Sequence, residues 1–487
     1  MNTDSVATSM DASLPKQINS SRTWLLARAS EAMFAQVIRR TVRFIFLFLA
    51  ARKLGPASFG IYALLLAMLE TLSLMTGEGL ADYVARELSK APGLAKELYK
   101  RVTLLRCLLA LLLAPIAIML LGFLKYPNEI LRDAAWLFLI LIARGPLASS
   151  QGLFRAAHRM SLMIWIEVMQ GCALLGLGYY FFFAGGANLH SVIAAEVGAA
   201  FMGALAALIL APQFWQNTSA IHVSWRTVWK ATATFNIFPL ITNIYDRVDV
   251  IILSVIAGNA AAGLYALPYR ALATLQIIPF GLMAAILPVL ASRSSSKDDK
   301  QICWRMATIL CVLSMFAALT LTLLAKPLVL VVLGDNYADS IPILRLLVWA
   351  SIPMFINYGL NTFLLARNRE RAFLWTSSIC AVANVALNLI LIPRFSYYAA
   401  AGVTIVTELL LLLQNLVIIR RTFDFIALPR RLLATALILL LLLGAALTGG
   451  AYAPPVIVAA TACFAFAFYL YLDGSLKTII DAVMPGT

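Results

Sequence analysis

Four charged residues lie inside two adjacent apolar segments between Asn236 and Pro288: Asp246, Arg247 and Asp249 in the first, Arg270 in the second. Each segment is long enough to cross a bilayer. A charge at that depth costs a few kcal/mol at least, so such residues face protein or water and mark a path for something polar. Pro239 in the first segment and Pro268, Pro279 and Pro288 in the second free backbone carbonyls and bend helices. A second set opens the chain: Arg39, Arg40 and Arg43 in the apolar run that ends at Lys53, and Glu70 in the run after it. Gln36, Arg40 and Arg43 recur at i, i+4 and i+7, so they share one helix face. Arginine presents a rigid fork of N–H donors that matches an oxyanion. A carboxylate at membrane depth can relay a proton.

The elements that must position these charges are membrane helices. Hydrophobic residues make up 62% of the 487 residues and charged ones 13%, with a mean hydropathy of +0.88. A crossing takes about 20 residues, which gives fourteen spans: roughly 33–53, 57–77, 102–123, 135–154, 161–183, 190–212, 233–256, 261–290, 305–325, 343–365, 372–393, 399–419, 432–449 and 455–473. With a rise of 1.5 Å per residue, Arg43 lies about 15 Å below the turn at Lys53–Pro56, and Glu70 about 20 Å below it. Asp246, Arg247 and Arg270 fall at similar depth below the turn at Gly258–Ala262. One level of charge shared by two helical hairpins predicts a central cavity between two halves of the molecule.

The two hairpins echo each other: GIYAL at 60–64 and GLYAL at 263–267, each following a small-residue turn. The expected organisation is a polar tail over 1–22, a six-helix lobe over 23–220, a second over 221–421, and two appended helices over 422–487. Loops on one side carry twenty Lys and Arg, from Arg86 to Arg431, against seven on the other. The positive-inside rule then puts both termini in the cytoplasm. The net charge of +15 resides in these loops, which argues against nucleic acid. The segment 78–101 alternates charged and apolar residues and reads as an amphipathic helix on the membrane surface. A short interfacial helix is expected in the outer loop 326–341. Three scattered histidines and six cysteines without a C-x-x-C pair point to no metal site.

Each charge has a plainer reading. Arg39 and Arg43 could snorkel to the headgroups, Asp246 and Arg247 could form a structural ion pair, and Glu167, Glu196 and Glu408 could each hold a lone hydrogen bond. Arg144 has no evident partner.

Four stretches carry a family resemblance: ARKLGPASFGIYALLLA at 51–67, YDRVDVIILSVIAGNAAAGLYALPYRAL at 245–272, LGDNYADSIPILRLL at 333–347 and ANVALNLILIPRFSYYAAAGVTIVTELL at 383–410. In this order and spacing they resemble the oligosaccharide flippases, including the O-antigen flippases, of the multidrug/oligosaccharidyl-lipid/polysaccharide (MOP) exporter superfamily, over about residues 30–420. The resemblance implies an all-α polytopic membrane protein with two pseudosymmetric six-helix bundles around a cavity that opens alternately to either side. It also implies a lipid-linked sugar as cargo and a place in the bacterial inner membrane. By position Arg40, Arg43 and Arg270 match cavity arginines of the related lipid II flippases. The second helix departs from that pattern, carrying Glu70 and no arginine. The two appended helices are similar to the extra pair those flippases use as a lipid groove.

The expected function is movement of a polyprenyl-diphosphate-linked oligosaccharide for surface polysaccharide assembly, alongside other assembly proteins. Arg40, Arg43, Arg247 and Arg270 would replace the water shell of the diphosphate. Asn236, Asn243, Tyr265 and Tyr269 would contact sugar, and Glu70, Asp246 or Asp249 would couple protons or sodium. No cofactor and no catalytic step is expected, since the soluble segments hold no phosphate loop, no paired carboxylates and no catalytic domain. The alternative is a cation-coupled multidrug exporter of the same superfamily, which the arginine excess disfavours.

Overall fold

The computed structural model describes residues 14–184, 186–215, 223–292 and 296–423. The appended helices expected after 422 lie outside these residues, as do 1–13 of the expected tail. No strand occurs among the described residues. This is the solution apolar runs require in a bilayer, because a helix satisfies its own backbone groups.

α1 (Leu14–Met75) is two helices joined at Gly55, where φ of 73° and ψ of 170° break the ladder just before Pro56. The first bundle continues with α2 (Leu80–Lys90), α3 (Ala95–Phe123), α4 (Asn128–Phe138), α5 (Ile140–Ala156), α6 (Met160–Ala184) and α7 (Leu189–Leu210). A 3₁₀ turn over Ala211–Phe214 precedes the expected boundary between halves. The second bundle holds α8 (Trp225–Ile256), α9 (Asn259–Leu275), α10 (Ile277–Ser292), α11 (Ser296–Val332), α12 (Ser340–Leu347), α13 (Ser351–Ala366) and α14 (Glu370–Phe423). α14 is again two helices, joined at Ser396 (φ 51°, ψ −134°) shortly after Pro393.

α1 and α14 each cover two of the first twelve expected spans, α3, α6, α7, α8 and α11 cover one each, the pairs α4–α5, α9–α10 and α12–α13 cover one per pair, and α2 covers none. Only seven stretches are long and apolar enough to cross a membrane by composition alone. The difference has physical causes. Two of the seven, Thr41–Lys90 and Glu370–Phe423, contain a reversal and so count twice. The pairs α4–α5 and α9–α10 are interrupted at Leu139 and Gln276, and α8 carries Asp246, Arg247 and Asp249 in its apolar half.

The bundles repeat one design. Gly55 and Gly258 open the echoed hairpins with matching backbone angles (φ 73° and 92°, ψ 170° and 163°), a conformation nearly exclusive to glycine. The echoed helices also touch. A Cβ on Gly60 would fall 1.7 Å from the Asn259 carbonyl oxygen, and one on Gly263 would fall 2.0 Å from that of Pro56. The two bundles thus meet backbone to backbone on the side with few basic loops. Buried Phe59, Tyr62, Leu64, Tyr265, Leu267 and Tyr337 pack around this seam. The Tyr337 hydroxyl donates to the Ala51 carbonyl at 3.0 Å, and Arg52 Nη1 donates to the Val331 carbonyl at 3.1 Å.

Two expectations are corrected. The segment 78–101 does not lie free on a membrane surface. α2 buries Leu80, Tyr83, Val84 and Leu88 within the protein, pressed so close to α5 that a Cβ on Gly152 would meet Val84 Cβ at 2.6 Å. Its apolar face is covered by helices instead of lipid, and Asp82 on it pairs with Arg155. The short helix expected in the outer loop 326–341 is shifted to its end, where α12 begins at Ser340. α11 runs on to Val332, and a single 3₁₀ turn, Asp335–Tyr337, follows to bury Tyr337.

Candidate functional site

A cavity of about 520 Å³ opens among the helices of the first bundle. Its polar lining comes from both arms of α1 (Arg43, Glu70), the turn after it (Glu78), α3 (Arg106), α5 (Arg144, Gln151), α6 (Glu167, Gln170) and α7 (Glu196). Among the described residues of the second bundle, only Asn243 of α8 lines it. Arg247 and Arg270 are not among its lining residues.

The reason is Glu70. This carboxylate reaches across the seam and pairs with two arginines at once: Oε2 lies 2.6 Å from Arg247 Nε, and Oε1 lies 3.1 Å from Arg270 Nη2. The second contact is also a hydrogen bond. The first is an ion pair without hydrogen-bond geometry, since Arg247 Nε has no acceptor along its N–H. The Arg247 guanidinium also stands over the Tyr269 ring, 5.8 Å from its centroid. Beside Glu70, Thr71 Oγ1 donates to Asn243 Oδ1 at 2.9 Å.

Arg43 has its own counter-ion. Its Nη2 lies 3.3 Å from Glu196 Oε1, which also accepts the Tyr62 hydroxyl at 2.6 Å. Arg43 is therefore held inside the protein, away from the headgroups that snorkelling would reach. Glu196 is an ion-pair partner and more than a lone hydrogen bond. Arg144, without an evident partner in the sequence, lies 3.8 Å from Glu78 Oε2, which also accepts from Ser73 Oγ at 2.9 Å. Arg40 and Arg39 lie outside the residues whose side chains are described.

The remaining predicted residues divide. Asp246 makes no ion pair among the described residues, so the pairing with Arg247 is replaced by that with Glu70. Asn236 is committed to structure: its Nδ2 donates to the Thr232 carbonyl at 2.6 Å, and its Oδ1 accepts the Gly79 N–H at 2.7 Å. It ties α8 to the turn between α1 and α2, on the side with the basic loops. Tyr265 is fully buried, and its hydroxyl donates to Asp249 Oδ2 at 2.7 Å. Asp249 is 1% exposed, and its Oδ1 has no partner. Glu408 accepts Tyr245 at 3.0 Å and Asn357 Nδ2 at 2.9 Å.

Sequence reasoning missed Arg106. Its side chain is 0% exposed, its Nη1 donates to the Gly77 carbonyl at 2.5 Å, and its Nε and Nη2 have no partner. The signal was present: an arginine in the run TLLRCLLALLLA, close to the expected edge of the third span. Among the described residues no group of His, Cys, Asp or Glu gathers as a metal site.

The fold is similar to that of solved transporters, one of them a member of the MOP superfamily. Two solved structures carry it at similar quality. One is a multidrug resistance MATE family transporter of that superfamily in an inward-facing conformation (TM-score 0.67, 12% identity, 79% of this chain and 94% of that one). The other is the lipid II flippase MurJ in an inward closed conformation (TM-score 0.68, 10% identity, 90% of this chain and 98% of that one). A Vibrio cholerae MATE transporter matches less closely (TM-score 0.52, 15% identity, 80% and 93%). No curated protein sequence matches the chain. Residues 25–294, more than half of the chain, match the model of the polysaccharide biosynthesis protein family, and the chain belongs to that family.

Proposed function

We propose that this protein is a flippase that carries a polyprenyl-diphosphate-linked oligosaccharide across the bacterial inner membrane, with both termini in the cytoplasm. The observation that carries the reading is the single carboxylate of Glu70 shared by Arg247 and Arg270. One negative charge holds two arginines from the other bundle. A diphosphate brings more charge and more acceptor oxygens than a carboxylate, so it competes for the same guanidinium forks. Glu70 acts as the stand-in that occupies them while the carrier is empty. Cargo that displaces it loosens the tie across the seam, which is the differential interaction that alternating access requires. Arg43 offers a further cation on the cavity wall, and Asn243 and Tyr269 stand close enough to this cluster to meet sugar. Asp249, dry and with one oxygen unpaired, is the coupling residue best placed to take up a proton or sodium.

The multidrug exporter reading has one observation in its favour. Glu70, Glu78, Glu167 and Glu196 line the cavity, against Arg43, Arg106 and Arg144. Three of those acids are engaged by arginine, whereas a cationic drug calls for an unengaged carboxylate.

Complementation separates the two. In cells lacking their native flippase, wild type restores surface polysaccharide, while Arg270→Ala and Arg43→Ala insert normally and accumulate lipid-linked precursor inside. Full surface polysaccharide in both variants, or ethidium efflux without restored polysaccharide, would count against the flippase reading.

A further inference from the structure

Arg106 is a fully buried arginine with two unpartnered donor nitrogens. It lies on α3 about 16 Å along from Ala95, beside the cavity, with no water-accessible surface. Its only described hydrogen bond is to the Gly77 carbonyl, and two of its donor nitrogens point at no acceptor. The charges that act on it are Glu78 and Arg144, and Glu78 is already engaged by Arg144 and Ser73. Glu78 is shared between Arg144 and Arg106, so this closed arrangement leaves the buried Arg106 charge only partly compensated, which is destabilising. Gly77, which it grips, starts the turn whose Gly79 N–H is held by Asn236 of α8. Phe235 also covers that turn, and a Cβ on Gly79 would lie 2.4 Å from the Phe235 carbonyl oxygen. The turn therefore bridges the two bundles on the basic-loop side.

We propose that Arg106 is a second anion-binding residue of the carrier, which takes a phosphate of the cargo from the cytoplasmic side before it reaches Arg43, Arg247 and Arg270. The free Nε and Nη2 supply the fork, and the Gly77 bond ties its occupancy to the turn that bridges the bundles. This rests on the flippase reading and adds to it an entry point for the diphosphate.

The test uses the full chain in nanodiscs of zwitterionic lipid, titrated with farnesyl diphosphate and followed by tryptophan quenching and thermal melting. Wild type binds. Arg106→Gln weakens binding about tenfold, the cost of a lost charge-assisted pair, with a melting temperature equal to or above that of wild type because a partly compensated buried charge is gone. Arg106→Lys keeps the charge but loses the fork, so it binds between the two. If Arg106→Gln fails to fold, the comparison of Arg106→Lys with wild type carries the test. Wild-type affinity in whichever variant folds would make Arg106 a purely structural tie to Gly77. Equal competition by phosphatidylglycerol would also overturn the proposal, assigning the site to bilayer phosphate. No binding by wild type would instead sink the flippase reading itself.

Discussion

The acids around the cavity in the first bundle and the buried acids of the second are neutralised in different ways. In the first, Glu196, Glu78 and Glu70 are each met by arginine: Arg43, Arg144, and the pair Arg247 and Arg270 from across the seam. In the second, Glu408 and Asp249 are met by neutral donors, Tyr245, Asn357 and Tyr265. An acid held by arginine can be exchanged for another anion, because the cation remains to receive it. An acid held by hydroxyl and amide groups has no cation to hand over. Its charge is settled by a proton or a metal cation, since burying it bare is costly. On the proposed reading, the first bundle and the seam would receive the anionic cargo and the second bundle would serve coupling.

The largest expected effect comes from removing the acid that joins the bundles. Glu70→Ala leaves Arg247 and Arg270 without a counter-ion and lowers stability by about 3 kcal/mol, read as thermal unfolding in nanodiscs. Farnesyl diphosphate should restore more stability to this variant than it adds to wild type, since nothing then competes for the arginines. Equal gains in both would break the exchange argument.

Next is the backbone seam. Gly60→Val places a side chain where the Asn259 carbonyl stands and forces apart the two helices that meet there, an overpacking cost of roughly 1–3 kcal/mol. Cysteine labelling from the periplasmic side should rise at positions beneath the seam. In the second bundle, Glu408→Gln keeps an acceptor for Tyr245 and costs about 1 kcal/mol, with precursor export retained. Asp249→Asn should bind farnesyl diphosphate like wild type while its transport no longer responds to a proton or sodium gradient. A loss of probe binding in Asp249→Asn would erase the division between the bundles. The smallest effect is expected for Asn236→Ala, which frees the Gly79 N–H at a cost of about 1 kcal/mol and makes the turn at Gly77–Gly79 easier to open.

The helices were legible because hydropathy over about 20 residues reports a bilayer crossing, and the glycine turns at Gly55 and Gly258 fixed where the chain reverses. Arg43, Glu70, Arg247 and Arg270 were legible for the opposite reason: each breaks an apolar run, and counting down from the turns put them at similar depth. Depth says nothing about lateral position, so the sharing of Glu70 by two arginines could not be read, nor could the Arg43–Glu196–Tyr62 cluster. Asn236 and Asn243 share a stripe on α8, yet one clamps a backbone N–H and the other lines the cavity. A polar stripe looks the same in either role. Arg106 was overlooked because a charge near the expected start of a span reads as snorkelling. Only the packing around α3, which leaves Arg106 with no exposed surface, shows that it is buried in the protein.

The central claim is that arginines at the seam and the cavity wall move a diphosphate-linked lipid. It is tested most directly in proteoliposomes carrying a fluorescent polyprenyl-diphosphate oligosaccharide, with a membrane-impermeant quencher added outside. Wild type should bring the inner-leaflet label into reach of the quencher, and the Arg43→Ala/Arg270→Ala double variant, reconstituted at equal density, should leave it protected. Label exposed equally fast by both proteins would contradict the account.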